Sequence, residues 1–90
     1  MGSLIELSVK VGRVLAARHF KLATVESCTG GWIGQSLTAV AGSSAWYERG
    51  FVTYSDASKT ELVGVPPEVI SRSGAVSEPV VRAMARGALS

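Results

Sequence analysis

TVESCTGGW, residues 24–32, is the stretch where two kinds of pattern meet. Ahead of it runs KLATV (21–25), apolar enough for a buried strand and too short for a helix. Behind it Ile33, Leu37 and Val40 recur at helical spacing until Gly42. The stretch therefore reads as a sharp strand-to-helix turn, and a strand feeding a helix makes the chain α/β. Three nucleophile types, Ser27, Cys28 and Thr29, stand in that turn, followed at once by Gly30 and Gly31.

Working outward, Leu4, Leu7, Val11, Val14 and Leu15 form a helical stripe that predicts an amphipathic first helix ending near Arg18. Beyond the loop AGSS (41–44), the β-forming run RGFVTYS (49–55) predicts a second strand. Ser55 or Asp56 can cap the next helix, because their oxygens accept from free first-turn amides. Gly64 ends that helix, and Val65-Pro66-Pro67 enforces a break. A short helix is expected from Pro67 to about Arg72, stopping at Gly74. Ser77 then caps a last helix with Val81, Met84, Ala85 and Ala88 on one face. Two strands alone make a marginal sheet, so residues 1–90 are expected to be the first part of one larger α/β domain.

Composition narrows the function classes. In 90 residues, 47% are apolar and mean hydropathy is +0.29, high for a small soluble domain. A partner or a further segment is expected to cover part of that surface, and a homo-oligomer is the simplest partner. Nine basic and seven acidic residues are scattered without a run, so nucleic-acid binding has no footprint. One Cys and one His exclude an internal disulfide framework and a closed structural zinc site. No apolar run reaches membrane-spanning length and no leader pattern is visible, which points to no membrane role and to the cytoplasm.

The chemistry concentrates around Ser27. A strand-to-helix turn lifts its side chain from the sheet edge and aims the following amides at whatever it attacks. The helix start adds partial positive charge suited to an oxyanion or a phosphate, and Gly30 and Gly31 let a ligand approach the backbone. The same residues also fit a plain capped turn. As a base, His19 is better placed as a solvated helix-end residue. Lys59 in YSDASK (54–59) falls at a helix start that disfavours its positive charge, and a deprotonated lysine can act as general base. Tyr54 can donate a hydrogen bond or relay a proton, although a core-edge Tyr54 and a solvated Lys59 fit the spacing equally. Cys28 is the rival nucleophile, but it is expected to pack inward as a small apolar side chain. Glu26 is either the last strand residue or the buried partner of a basic group.

ESCTGGW (26–32), AGSSAWYERGFVTYSDASK (41–59) and GVPPEVISRSGAVSEPVVRAMARGAL (64–89) together resemble the CinA C-terminal domain, whose stand-alone bacterial forms are nicotinamide-nucleotide amidases. The resemblance covers nearly the whole chain. It implies a three-layer α/β/α fold with a mixed sheet and hydrolysis of the carboxamide of nicotinamide mononucleotide, giving nicotinate mononucleotide and ammonia. It implies Ser27 as nucleophile, Lys59 as base and Tyr54 assisting, with no metal or other cofactor; the backbone of Thr29, Gly30 and Gly31 is then expected to bind substrate, holding either the oxyanion or the nucleotide phosphate. The family domain continues through further strands and a GIAGP-type loop that does not occur here, so this chain is expected to be the N-terminal part of that domain. A nucleotide-binding remnant without catalysis and a structural or regulatory piece are the alternatives.

Overall fold

Gly, Pro and Ser punctuation divides the chain, a computed structural model of which describes residues 2–90. Helix α1 (Gly2–Ala17) stops where His19 takes a φ of 57° and the His19 and Phe20 amides return to the Ala16 and Leu15 carbonyls. Strand β1 (Leu22–Glu26) leads through the Gly pair into α2 (Trp32–Thr38). A 3-10 turn at Ser43–Ala45 and strand β2 (Tyr47–Val52) follow. Helix α3 (Asp56–Val63) opens on Ser55, whose hydroxyl accepts from the Ser58 amide at 3.1 Å, and closes on Gly64 at φ 66°. Helix α4 (Pro67–Ser73) starts on Pro67, whose missing N–H costs nothing at a first helical position. Ser77 caps α5 (Glu78–Leu89).

The expected order of elements is therefore present, with two elements of shifted extent: α2 ends at Thr38, so Val40 and the expected stop at Gly42 lie outside it. Strand β2 begins at Tyr47, not Arg49, and ends at Val52, before Ser55. Its pairing with β1 is parallel, matching Thr24 to Gly50 and Glu26 to Val52, with an irregularity between Leu22 and Ala23. The irregularity absorbs one extra residue in β2 and brings Tyr47 into line with Leu22.

Side chains alternate across the pair. Thr24 and Glu26 face α1 and α2: Thr24 Oγ1 is 2.6 Å from Tyr47 Oη, and Glu26 reaches the start of α2. On the other face, Val25 and Phe51 pack against Val63, Val65, Ile70, Val80 and Met84 from α3, α4, α5 and the link between α3 and α4. Helices on both sides of a sheet give the α/β/α layering.

Two helices sit on faces other than those expected. On α5 the inward residues are Val80 and Met84, with Ala83 packed against the same cluster, while Val81 and Ala85 are exposed. Gly87 explains the rotation. A Cβ there would collide with the Val63 carbonyl, so the bare α-carbon lets α5 seat directly on α3. On α1, Leu7 and Val14 are exposed and Ser8 and Gly12 are buried. A Cβ on Gly12 would lie 2.6 Å from Trp46 Cζ2, so the indole ring occupies that space.

Candidate active site at the carboxyl edge of the sheet

Parallel strands end on the same side, so the turns after β1 and β2 share one edge of the sheet, the edge where α/β proteins usually hold ligands. The Thr53 amide donates to the Glu26 carbonyl at 2.8 Å and carries the pairing one step past β2. Ser27 follows Glu26 directly. Tyr54 follows Thr53, and Lys59 lies in the opening turns of α3. The turn chemistry of both loops thus places Ser27, Tyr54 and Lys59 at one edge. His19, which precedes β1, lies at the opposite end of that strand and is exposed.

Glu26 organises the first loop. It is only 4% exposed, and its carboxylate accepts from Thr29 Oγ1 at 2.7 Å and from the amides of Gly31, Ile33 and Gly34 at 3.2, 2.8 and 2.8 Å. Burial pushes its pKa up, but the bonds from Gly34, Thr29, Ile33 and Gly31 together outweigh burial and hold it below the usual glutamate value. Glu26 is thus the last strand residue and a buried acceptor, but its partners are amides and a hydroxyl, not a basic group. The signal was available in the sequence as a carboxylate placed shortly before a helix start, where unpaired amides favour negative charge.

The rest of the turn follows from that anchor. The Gly30 amide donates to the Ser27 carbonyl at 3.1 Å and the Trp32 amide to the Thr29 carbonyl at 3.1 Å. Gly30 at φ 61° and Gly31 at φ 105° supply the left-handed steps that only glycine takes without strain, and a Cβ on Gly30 would meet nothing within 4 Å. Among the described residues, the Cys28 and Thr29 amides have no acceptor within the chain. The Cys28 side chain is exposed, contrary to the inward packing expected. That expectation extended strand alternation past Glu26, whereas the strand stops there and Cys28 lies in the turn.

In the second loop, Lys59 is 2% exposed. Its Nζ donates to the Tyr54 carbonyl at 3.3 Å and lies 3.7 Å from Oδ1 of the exposed Asp56. The Tyr54 side chain is 73% exposed, so it is the Tyr54 backbone that touches Lys59. No hydrogen bond joins Ser27 to Lys59 among the described residues. Nor do those residues include a group of three His, Cys, Asp or Glu side chains placed to hold a metal ion, or a helix long and apolar enough to cross a membrane.

The sequence profile of the family described as CinA C-terminal domain matches residues 4–90. The chain is 56% identical over 86 residues to nicotinamide-nucleotide amidohydrolase PncC of Escherichia coli (strain K12), a match covering 96% of this chain and 52% of the relative. It is 48% identical over 88 residues to the protein of the same name from Pseudomonas putida, covering 98% of this chain and 55% of the relative. Among solved structures, competence/damage inducible protein CihA from Agrobacterium tumefaciens superposes with a TM-score of 0.96 at 42% identity, over 99% of this chain and 54% of that one. The chain spans about half the length of the relatives it matches.

Proposed function

The chain belongs to the CinA C-terminal domain family, and from that premise we propose that it carries the serine and lysine of an amidase acting on a pyridine nucleotide. The substrate is nicotinamide mononucleotide, and the products are nicotinate mononucleotide and ammonia. Ser27 Oγ attacks the carboxamide carbon while Lys59 Nζ takes the hydroxyl proton. As the tetrahedral adduct collapses and its C–N bond breaks, Lys59 returns that proton to the departing nitrogen, which leaves as ammonia, and water then hydrolyses the ester to free nicotinate mononucleotide and restore the Ser27 hydroxyl. The Cys28 and Thr29 amides, which have no acceptor among the described residues, are the donors for the oxyanion. The open space beside Gly30 admits the substrate, and Tyr54 assists from the neighbouring loop. One observation carries the reading: the Ser27 turn and the buried Lys59 share the carboxyl edge of one parallel pair. A bacterial cytoplasm suits the exposed free thiol, and the exposed apolar side chains of α1 and α2 suit a homo-oligomer.

The test is ammonia release from nicotinamide mononucleotide, paired with calorimetry of nucleotide binding. Ser27→Ala should abolish turnover, and Cys28→Ala should keep most of it. Lys59→Met should lose about 10²- to 10⁴-fold, the usual worth of general-base help, with binding largely intact. Lys59→Arg should be nearly as inactive, because a guanidinium stays protonated. Nucleotide binding without ammonia would mark a non-catalytic remnant, and no binding at all a structural or regulatory piece. An active Lys59→Arg variant would remove Lys59 from the role of base.

A further inference from the structure

A helix start preceded by two glycines is ordinarily a place where a substrate phosphate settles, because its first amides lack partners. At α2 those amides are all engaged. Gly31, Ile33 and Gly34 donate to Glu26, and Trp32 donates to the Thr29 carbonyl. The next amide, Gln35, already belongs to the helical ladder through the Gly31 carbonyl at 3.0 Å. The anion that this helix start attracts is part of the chain. The surrounding packing holds it in place: a Cβ on Gly34 would lie 3.0 Å from Tyr47 Oη, 3.4 Å from Glu26 Oε2 and 3.8 Å from Thr24 Oγ1. The three oxygens converge on Gly34, with Tyr47 Oη the tight contact that a side chain there would have to displace.

We propose that Glu26 is a positioning residue that closes the α2 start to substrate anions and fixes the Ser27–Gly30 turn, so that a nucleotide phosphate must be held elsewhere. The carboxylate ties Thr29 by its hydroxyl and Gly31 by its amide, on either side of Gly30. The direction of the Cys28 and Thr29 amides therefore depends on Glu26, one residue before the nucleophile. A second anion at the same amides would have to displace a buried carboxylate that already takes four hydrogen bonds. The identity of the excluded anion rests on the amidase reading; the occupation of the amides does not.

Backbone amide spectra of the full chain, by ¹⁵N–¹H nuclear magnetic resonance, decide it. Inorganic phosphate and nicotinamide mononucleotide are each titrated into the wild type, Glu26→Gln, Glu26→Asp and Glu26→Ala. In the wild type, phosphate should leave the Gly31, Ile33 and Gly34 signals in place. In Glu26→Ala it should move them; if that variant does not fold, Glu26→Gln, which keeps one acceptor oxygen, serves instead. Glu26→Gln should also shift the Cys28 and Thr29 amides before any ligand is added. In turnover, Glu26→Gln should lose about tenfold or more in kcat, as misplaced reacting groups do, with little change in KM, and Glu26→Asp should recover part of the loss. Phosphate shifts at those three amides in the wild type would overturn the proposal. So would Cys28 and Thr29 signals unmoved in Glu26→Gln, or an unchanged kcat. If the wild type releases no ammonia, the amidase reading falls while the amide signals still decide the role of Glu26.

Discussion

Behind the β1–β2 pair, Val25 and Phe51 lie against a closed cluster of Val63, Val65, Ile70, Val80 and Met84. In front of it, Glu26, Thr24 and Tyr47 form a hydrogen-bonded layer. Beside that layer α1 and α2 leave open an apolar groove of about 490 Å³, lined by Leu4, Leu7, Val11, Leu22, Ile33 and Leu37 among others. One face excludes water by shape, and its energy comes from many small contacts that tolerate no gap. The other face is held by a few directional bonds, each fixing an orientation but leaving space nearby. The difference separates two tasks in a chain of only 90 residues. The rear face supplies stability, and the front face supplies geometry for Ser27.

Four substitutions can break or sharpen this division. The largest effect is expected at the rear: Met84→Ala should cost about 2–5 kcal/mol, the range for a truncated core methionine, in chemical denaturation. In front, Glu26→Gln should cost about 1.5–3 kcal/mol near neutral pH, since it replaces charge-assisted bonds. Its pH dependence is the sharper sign. The folded-state pKa of Glu26 is lowered, so its contribution is complete above the unfolded value of about 4.3 and is lost as pH falls through the folded value. Melts of the wild type should weaken along that acid limb, and those of Glu26→Gln should lack this component. Gly87→Ala should cost about 1–3 kcal/mol by forcing α5 off the Val63 carbonyl. Leu7→Ser, at a side chain 58% exposed on the groove, should stay within about 0.5 kcal/mol. A groove substitution as costly as Met84→Ala would end the contrast between the faces.

Where the sequence is punctuated, it is legible. Ser55, Gly64, Pro67 and Ser77 mark helix ends through local hydrogen bonds and fixed dihedrals, which need no tertiary context. Face and register are harder. Apolar spacing picks Val81 and Ala85 on α5 and Leu7 and Val14 on α1, yet the buried positions include Ser8, Gly12 and Val80. In both helices a glycine allows a close approach, to Trp46 in one case and Val63 in the other, and this outweighs the count of large side chains. The start of β2 was hidden for a related reason, because the irregularity near Ala23 is a property of the pair and not of either strand. Within the site, the shared edge of Ser27, Tyr54 and Lys59 follows from strand order, which the sequence carries. The acceptor role of Glu26 does not, since it depends on which amides the folded turn turns inward.

The exposed Cys28 has a practical consequence. It is the single cysteine of the chain and stands one residue after Ser27, on a turn whose dihedrals are set by Gly30 and Gly31. A thiol-directed fluorophore or a ¹⁹F tag therefore attaches at one position only, beside the candidate nucleophile. Its signal reports solvent and motion at that edge of the sheet with no second label to subtract, in the wild-type sequence and without a single engineered substitution.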